Sequence, residues 1–160
     1  MKHLFSARHG DYNPSDDKQE LTDEGRYQMQ RLAGAIKEIL NGGSSYLITS
    51  SAPRAINCGK EMGNHLGISD LETDPYLWAG FDSPMDNFMF NPDYARLLGP
   101  VNKNRDRADG IIVISHKGVA ENLARRFQIQ EWGNSDIDVD IQKGHAVHID
   151  LEGKGYGIIP

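Results

Sequence analysis

Short apolar runs bounded by turn residues alternate along this chain with longer stretches whose apolar positions recur every three or four residues. Lys2-His3-Leu4-Phe5-Ser6 reads as one buried strand, and the turn-rich Asp11–Asp17 cannot continue it. Thr22 then suits a helix N-cap, with Asp23 and Glu24 at the positive end of the helix dipole. Met29, Leu32, Ala33, Ile36, Ile39 and Leu40 form one apolar stripe, and Gly42-Gly43 should close that helix. Tyr46–Thr49 reads as a second strand, followed by a helix from Arg54 to about Leu66, opened by Pro53 and ended by Gly67. Strand, helix, strand, helix in this order predicts an α/β fold with a mostly parallel sheet and right-handed crossovers.

The middle of the chain is less periodic. A short strand at Leu71–Thr73 and a brief helix at Asp93–Leu98 flank aromatics, prolines, glycines and acids that keep no period, so 74–109 reads as a lid or insertion on the ligand-binding face. Order returns at Ile111–Ile114, the most strand-like run, followed by a helix over Val119–Phe127. Two more strands follow, His145–Leu151 and Tyr156–Ile159. With no repeat and no linker, residues 1–160 read as a single domain.

Composition narrows the function classes. A net charge of −6 argues against a nucleic-acid or anionic-lipid partner. The apolar runs are too short to span a bilayer, and the N-terminal residues lack an apolar leader, so neither membrane insertion nor secretion is expected. Cys58 is the one cysteine, which excludes an internal disulfide and fits a reducing cytoplasm. Among the six histidines, no His-x-x-x-His or Cys-His spacing occurs, and His145 and His148 fall on opposite faces of a strand, so no metal is expected.

The candidate chemistry sits at strand ends. Arg8 and His9 follow the first strand, Arg54 opens the helix after the second, and Ser115-His116 follow the central strand. In a parallel sheet these carboxyl ends lie side by side, where ligands bind. Two forked cations and two imidazoles around one point suit a phosphoryl group. A cation is slightly unfavourable at a helix N-terminus, which points Arg54 toward another task. Gly10 permits either a close backbone approach or a positive φ. Ser50 and Ser51 lack the Gly-x-Ser-x-Gly setting of a serine nucleophile and read as caps of the second helix. Lys103–Arg107 reads as a solvated charged face, with contact to an acidic phosphoprotein as the alternative. Trp78, Phe81, Phe88 and Phe90 either wall the pocket or form a small core of their own.

Arg8-His9-Gly10, Leu21-Thr22-Asp23-Glu24-Gly25, Ser50-Ser51-Ala52-Pro53-Arg54-Ala55 and Ile114-Ser115-His116 together resemble the histidine phosphatase, or phosphoglycerate-mutase-like, superfamily in order and spacing. The short length and the Arg-His-Gly-Asp start look most like its small bacterial phosphohistidine phosphatases. The resemblance implies a three-layer sandwich, a mostly parallel sheet with helices on both faces. It also implies a phosphatase without cofactor, acting on a phosphorylated small molecule or phosphoprotein. His9 would be the nucleophile that becomes phosphohistidine, with Arg8, Arg54 and His116 binding the phosphoryl group. Many members supply a glutamate as general acid after the third strand. Here Tyr76–Ser83 contains none, leaving Asp82 as the nearest candidate and Asp86 as the next, with Glu72, Asp74 and Glu121 in reserve. A mutase, or a phosphate-binding module without turnover, are the alternative functions.

Overall fold

The computed structural model describes residues 1–78 and 94–160. In chain order the elements are β1 His3–Arg8, α1 Asp23–Leu40, β2 Ser45–Ser50, α2 Pro53–Leu66, β3 Glu72–Asp74 and a 3-10 turn Pro75–Leu77. They continue with α3 Tyr94–Leu97, α4 Gly99–Lys103, β4 Gly110–Ser115, α5 Lys117–Trp132, β5 Ala146–Asp150 and β6 Gly155–Ile159. The described strands form one sheet in the order β3-β2-β4-β1-β5-β6. The four strands from β3 to β1 run parallel, while β5 pairs antiparallel with both β1 and β6. A mostly parallel α/β sheet is therefore what the alternation of strand and helix produces.

Side-chain alternation along the central strands divides the core between two faces. Leu4, Ile111 and Val113 pack with Val119, Leu123 and Phe127 of α5. Phe5, Ala7, Ile112 and Ile114 pack on the other face with Leu32 and Ile36 of α1 and with Met62 of α2. Helices thus cover both sides of the sheet in three layers. Every residue of β4 is buried, which explains its unbroken apolar run.

Several boundaries differ from the sequence reading for local reasons. Thr22 caps α1 as expected, its Oγ1 accepting from Gly25 N at 3.0 Å. The other end is capped by Asn41 in the left-handed region, one residue before the glycines, because asparagine tolerates that conformation. Ser50 and Ser51 do not cap α2. Its N-cap is Ala52, with no side-chain capping bond, and the proline ring fixes the first turn instead. β3 lies one residue later than read, and α5 extends five residues past Phe127 because Gln128, buried beneath it, bonds Asp136. The run Lys103–Arg107 is only partly a solvated face. Asn104 is fully buried, and Arg105 grips both oxygens of Glu131 at 2.7 and 2.8 Å. Within the segment read as a lid, Leu97, Leu98 and Val101 are buried in the α5-side core. Residues 79–93, including Phe81, Phe88 and Phe90, lie outside the described residues. No helix among the described residues is long and apolar enough to cross a membrane.

Candidate active site

Sheet register assembles the site. Arg8 lies beside Ser115 across the β1–β4 pair, and Thr49 lies beside Ile114 across the β2–β4 pair. Ser50, the last residue of β2, and His9 and His116, which follow β1 and β4, therefore emerge at one edge. There the His9 and His116 rings stand nearly edge to face, 5.3 Å apart. Arg54, in the first turn of α2 and only 6% exposed, places Nη2 3.3 Å from His116 Nδ1. Arg8 donates from Nη1 to the Ile141 carbonyl at 3.0 Å. Its Nε and the Ser115 hydroxyl are buried without a hydrogen-bond partner among the described residues. Such unpaired donors are costly unless something completes them, and a tetrahedral oxyanion has the acceptors to do so.

The electrostatics favour neutral imidazoles. His9 Nδ1 lies 2.8 Å from the Gly10 carbonyl, which can only accept, so Nδ1 carries the proton and Nε2 keeps its lone pair. Burial lowers the His9 pKa to about 4, helped by the charges of Arg54, Arg8 and Lys143 against the raising effect of the Gly10 bond. Burial likewise drives His116 down to about 2, with Arg54, His9 and Arg8 adding to it. At neutral pH both rings are uncharged in a cationic setting, which leaves His9 nucleophilic and attracts anions.

Close packing explains the motif glycines. A side chain on Gly10 would bring its Cβ 2.9 Å from the Gly25 carbonyl, and one on Gly25 would sit on the Asp11 carbonyl. The loop after His9 can therefore lie directly on the first turn of α1. Gly10 serves close approach, since its φ is not positive. Beneath it, its N–H donates to Cys58 Sγ at 3.2 Å, and burial pushes that thiol up to about 12.

Three contributors escaped the sequence reading. The Tyr12 ring meets His9 edge-on at 5.3 Å and carries Arg54 Cζ at 5.4 Å and Lys143 Nζ at 5.8 Å. Gln19 Oε1 accepts from Arg54 Nη1 at 2.9 Å. Lys143 pairs with Asp11 at 2.5 Å, and Thr22 Oγ1 also donates to that carboxylate. These bonds from Lys143 and Thr22 hold Asp11 below the ordinary carboxylate range. Asp74, one of the reserve acids of the sequence, is the last residue of β3 and the register partner of Ser50. Burial raises its pKa, with the charge of Glu72 adding to this. Asp82 and Asp86, the acids named from the sequence, lie outside the described residues. Trp78 packs against the core on the α1–α2 face of the sheet.

No protein-family model matches the chain, and no curated protein does. Solved structures do. The protein histidine phosphatase SixA, in complex with tungstate, superposes with a TM-score of 0.64 at 19% identity, over 99% of this chain and 94% of that one. The chain has the histidine phosphatase fold. A mycobacterial glucosyl-3-phosphoglycerate phosphatase matches it at TM-score 0.63 and 16% identity, over 99% of this chain and 97% of that one. Phosphoglycerate mutase from Plasmodium falciparum matches at 0.55 and 18%, over 99% and 89%. The histidine phosphatase fold thus carries both hydrolysis and mutase chemistry among these neighbours, so the choice for this chain rests on its own residues.

Proposed function

We propose that the protein is a phosphatase of the histidine phosphatase superfamily, acting through a phosphohistidine on His9. The observation that carries this reading is the state of His9. It is a buried, uncharged imidazole whose Nδ1 proton is held by Gly10, so its Nε2 lone pair faces a site framed by Arg8, Arg54 and His116. In the first step Nε2 attacks phosphorus. The P–N bond forms as the bond from phosphorus to the leaving oxygen or nitrogen breaks, and an acid protonates the leaving group. Water then attacks phosphorus, the P–N bond breaks, inorganic phosphate departs and His9 returns to its neutral form. Guanidinium groups of the chain stabilise the equatorial charge, so the scheme calls for no metal ion. The oxyanion tungstate in SixA supports a phosphoryl-binding role for the same fold.

The general acid is assigned by elimination within the described residues. Glu72 is ionised. Burial opposes this, but bonds from Tyr46, Lys103 and Asn104 hold its pKa down. Glu121 accepts from Ile141 N at 3.0 Å, and the Ile141 carbonyl holds Arg8, so its carboxylate braces the Arg8 side of the site. Asp74 has the right properties: a raised pKa, partial burial and a place at the carboxyl edge beside Ser50. Asp82 is the competing assignment. Substrates are phosphorylated small molecules or phosphoproteins. The net charge of −6 disfavours nucleic acid, and the lone buried Cys58 fits a reducing compartment such as the cytoplasm.

The test compares Asp74→Asn with Asp82→Asn on an alkyl phosphate and on p-nitrophenyl phosphate, alongside His9→Ala. General acid catalysis is worth roughly 10²–10⁴-fold, so loss of the true acid slows the alkyl ester by that factor and the nitrophenyl ester far less. His9→Ala should retain the fold and lose turnover on both. Appreciable turnover by that variant refutes the mechanism.

A further inference from the structure

Ser50 was expected to cap α2, yet its fully buried hydroxyl lies 2.9 Å from His116 Nε2. It also accepts from Ala52 N at 3.1 Å. The other ring nitrogen of His116, Nδ1, faces Arg54 Nη2 at 3.3 Å. A guanidinium has only donors, so Nδ1 must accept. A neutral imidazole has one proton, which is then on Nε2, and the Ser50 oxygen must receive it. We propose that Ser50 is a positioning residue, its oxygen holding His116 in the Nε2-protonated tautomer that accepts a hydrogen bond from Arg54.

The consequence reaches Arg54. Gln19 Oε1 holds Nη1 at 2.9 Å while His116 Nδ1 holds Nη2, so two acceptors on opposite sides fix the fork. Without an acceptor at position 50, the His116 Nε2–H is buried with no partner, and the ring turns to find one, which takes Nδ1 away from Arg54. Arg54 then loses one of its two anchors. The Ser50 hydroxyl acts at two removes from phosphorus, through His116 and then Arg54. This inference rests on the phosphoryl-binding reading of the site, but not on turnover.

The experiment reads the tautomer directly, by ¹⁵N NMR of the His116 ring, together with binding of orthovanadate. Wild type should show the proton on Nε2. Ser50→Ala, and Ser50→Cys as a variant of similar size with a poor acceptor, should let the ring turn, shift the Nδ1 resonance as its hydrogen bond from Arg54 weakens, and weaken orthovanadate binding about tenfold, the scale of one buried hydrogen bond. Ser50→Thr keeps the hydroxyl and should restore both properties. A proton on Nδ1 in the wild type overturns the proposal. So does an unchanged Nδ1 resonance and affinity in folded Ser50→Cys, or a folded Ser50→Thr as impaired as Ser50→Cys. Failure of the phosphatase reading appears separately, as absent turnover and absent phosphohistidine in a wild type that still shows the Nε2 tautomer.

Discussion

Acidification tests the state of the nucleophile without any substrate. His9 is 7% exposed, and its pKa falls from 6.5 in the unfolded chain to about 4 in the native one. Between those values the unfolded chain binds a proton that the native protein refuses, so stability is full above pH 6.5 and declines as the pH drops toward 4. One unit of displacement corresponds to about 1.4 kcal/mol, so His9 alone removes about 2 kcal/mol by pH 5 and about 3 kcal/mol by pH 4. Carboxylates titrate over part of this range too, so the informative quantity is a difference. His9→Gln keeps an amide donor for Gly10 and cannot become cationic. Urea unfolding of both proteins at pH 7 and pH 5 should show wild type losing about 2 kcal/mol more than the variant. Parallel losses would mean that folded His9 titrates near its unfolded value. The argument for a neutral, anion-ready nucleophile would then fail.

Other consequences follow from named contacts. Arg54→Lys cannot reach both Gln19 and His116 and should cut kcat by about 10²–10³, the scale of one lost transition-state donor. Near-normal kcat in that variant would show that the fork is not needed. Lys143→Met removes one of the charges that depress His9, so the acid limb of kcat/KM, corrected for substrate ionisation, should move toward neutral pH. An unmoved limb removes Lys143 from the site. Gly25→Ala should lower Tm despite the better helix propensity of alanine, because the new methyl meets the Asp11 carbonyl. A raised Tm would refute the close packing of the His9 loop on α1.

What the sequence reveals here depends on how local the information is. Arg8, His9, Arg54 and His116 could be placed together because each lies at or just past the end of a strand of the parallel half of the sheet, where direction is set by the crossovers; β1 runs two residues past Ser6 and ends on Arg8 itself. Lys143 could not. It joins the site only because β5 runs antiparallel to β1, which brings the start of β5 rather than its end to the same edge, and a tail strand does not announce its direction. Tyr12 and Gln19 sit in an irregular loop whose path is set by Arg54 and Asn57 reaching into it. Asp74 ranks behind Asp82 and Asp86 in the sequence because a strand taken to end at Thr73 leaves it in a loop, whereas β3 ends on it. Ser50 carried a local signal for capping, but a buried imidazole offered its hydroxyl a partner 66 residues away in the chain.

The most direct test of the central claim is a rapid acid-free quench of the wild type during turnover of p-nitrophenyl phosphate, followed by peptide mass spectrometry. The account predicts an acid-labile phosphoryl group on His9, attached at Nε2 because Gly10 holds Nδ1, and its absence from His9→Ala. A phosphoryl group at another residue, or at Nδ1 of His9, would contradict it. So would hydrolysis in which no phosphoryl-enzyme forms on a timescale faster than turnover.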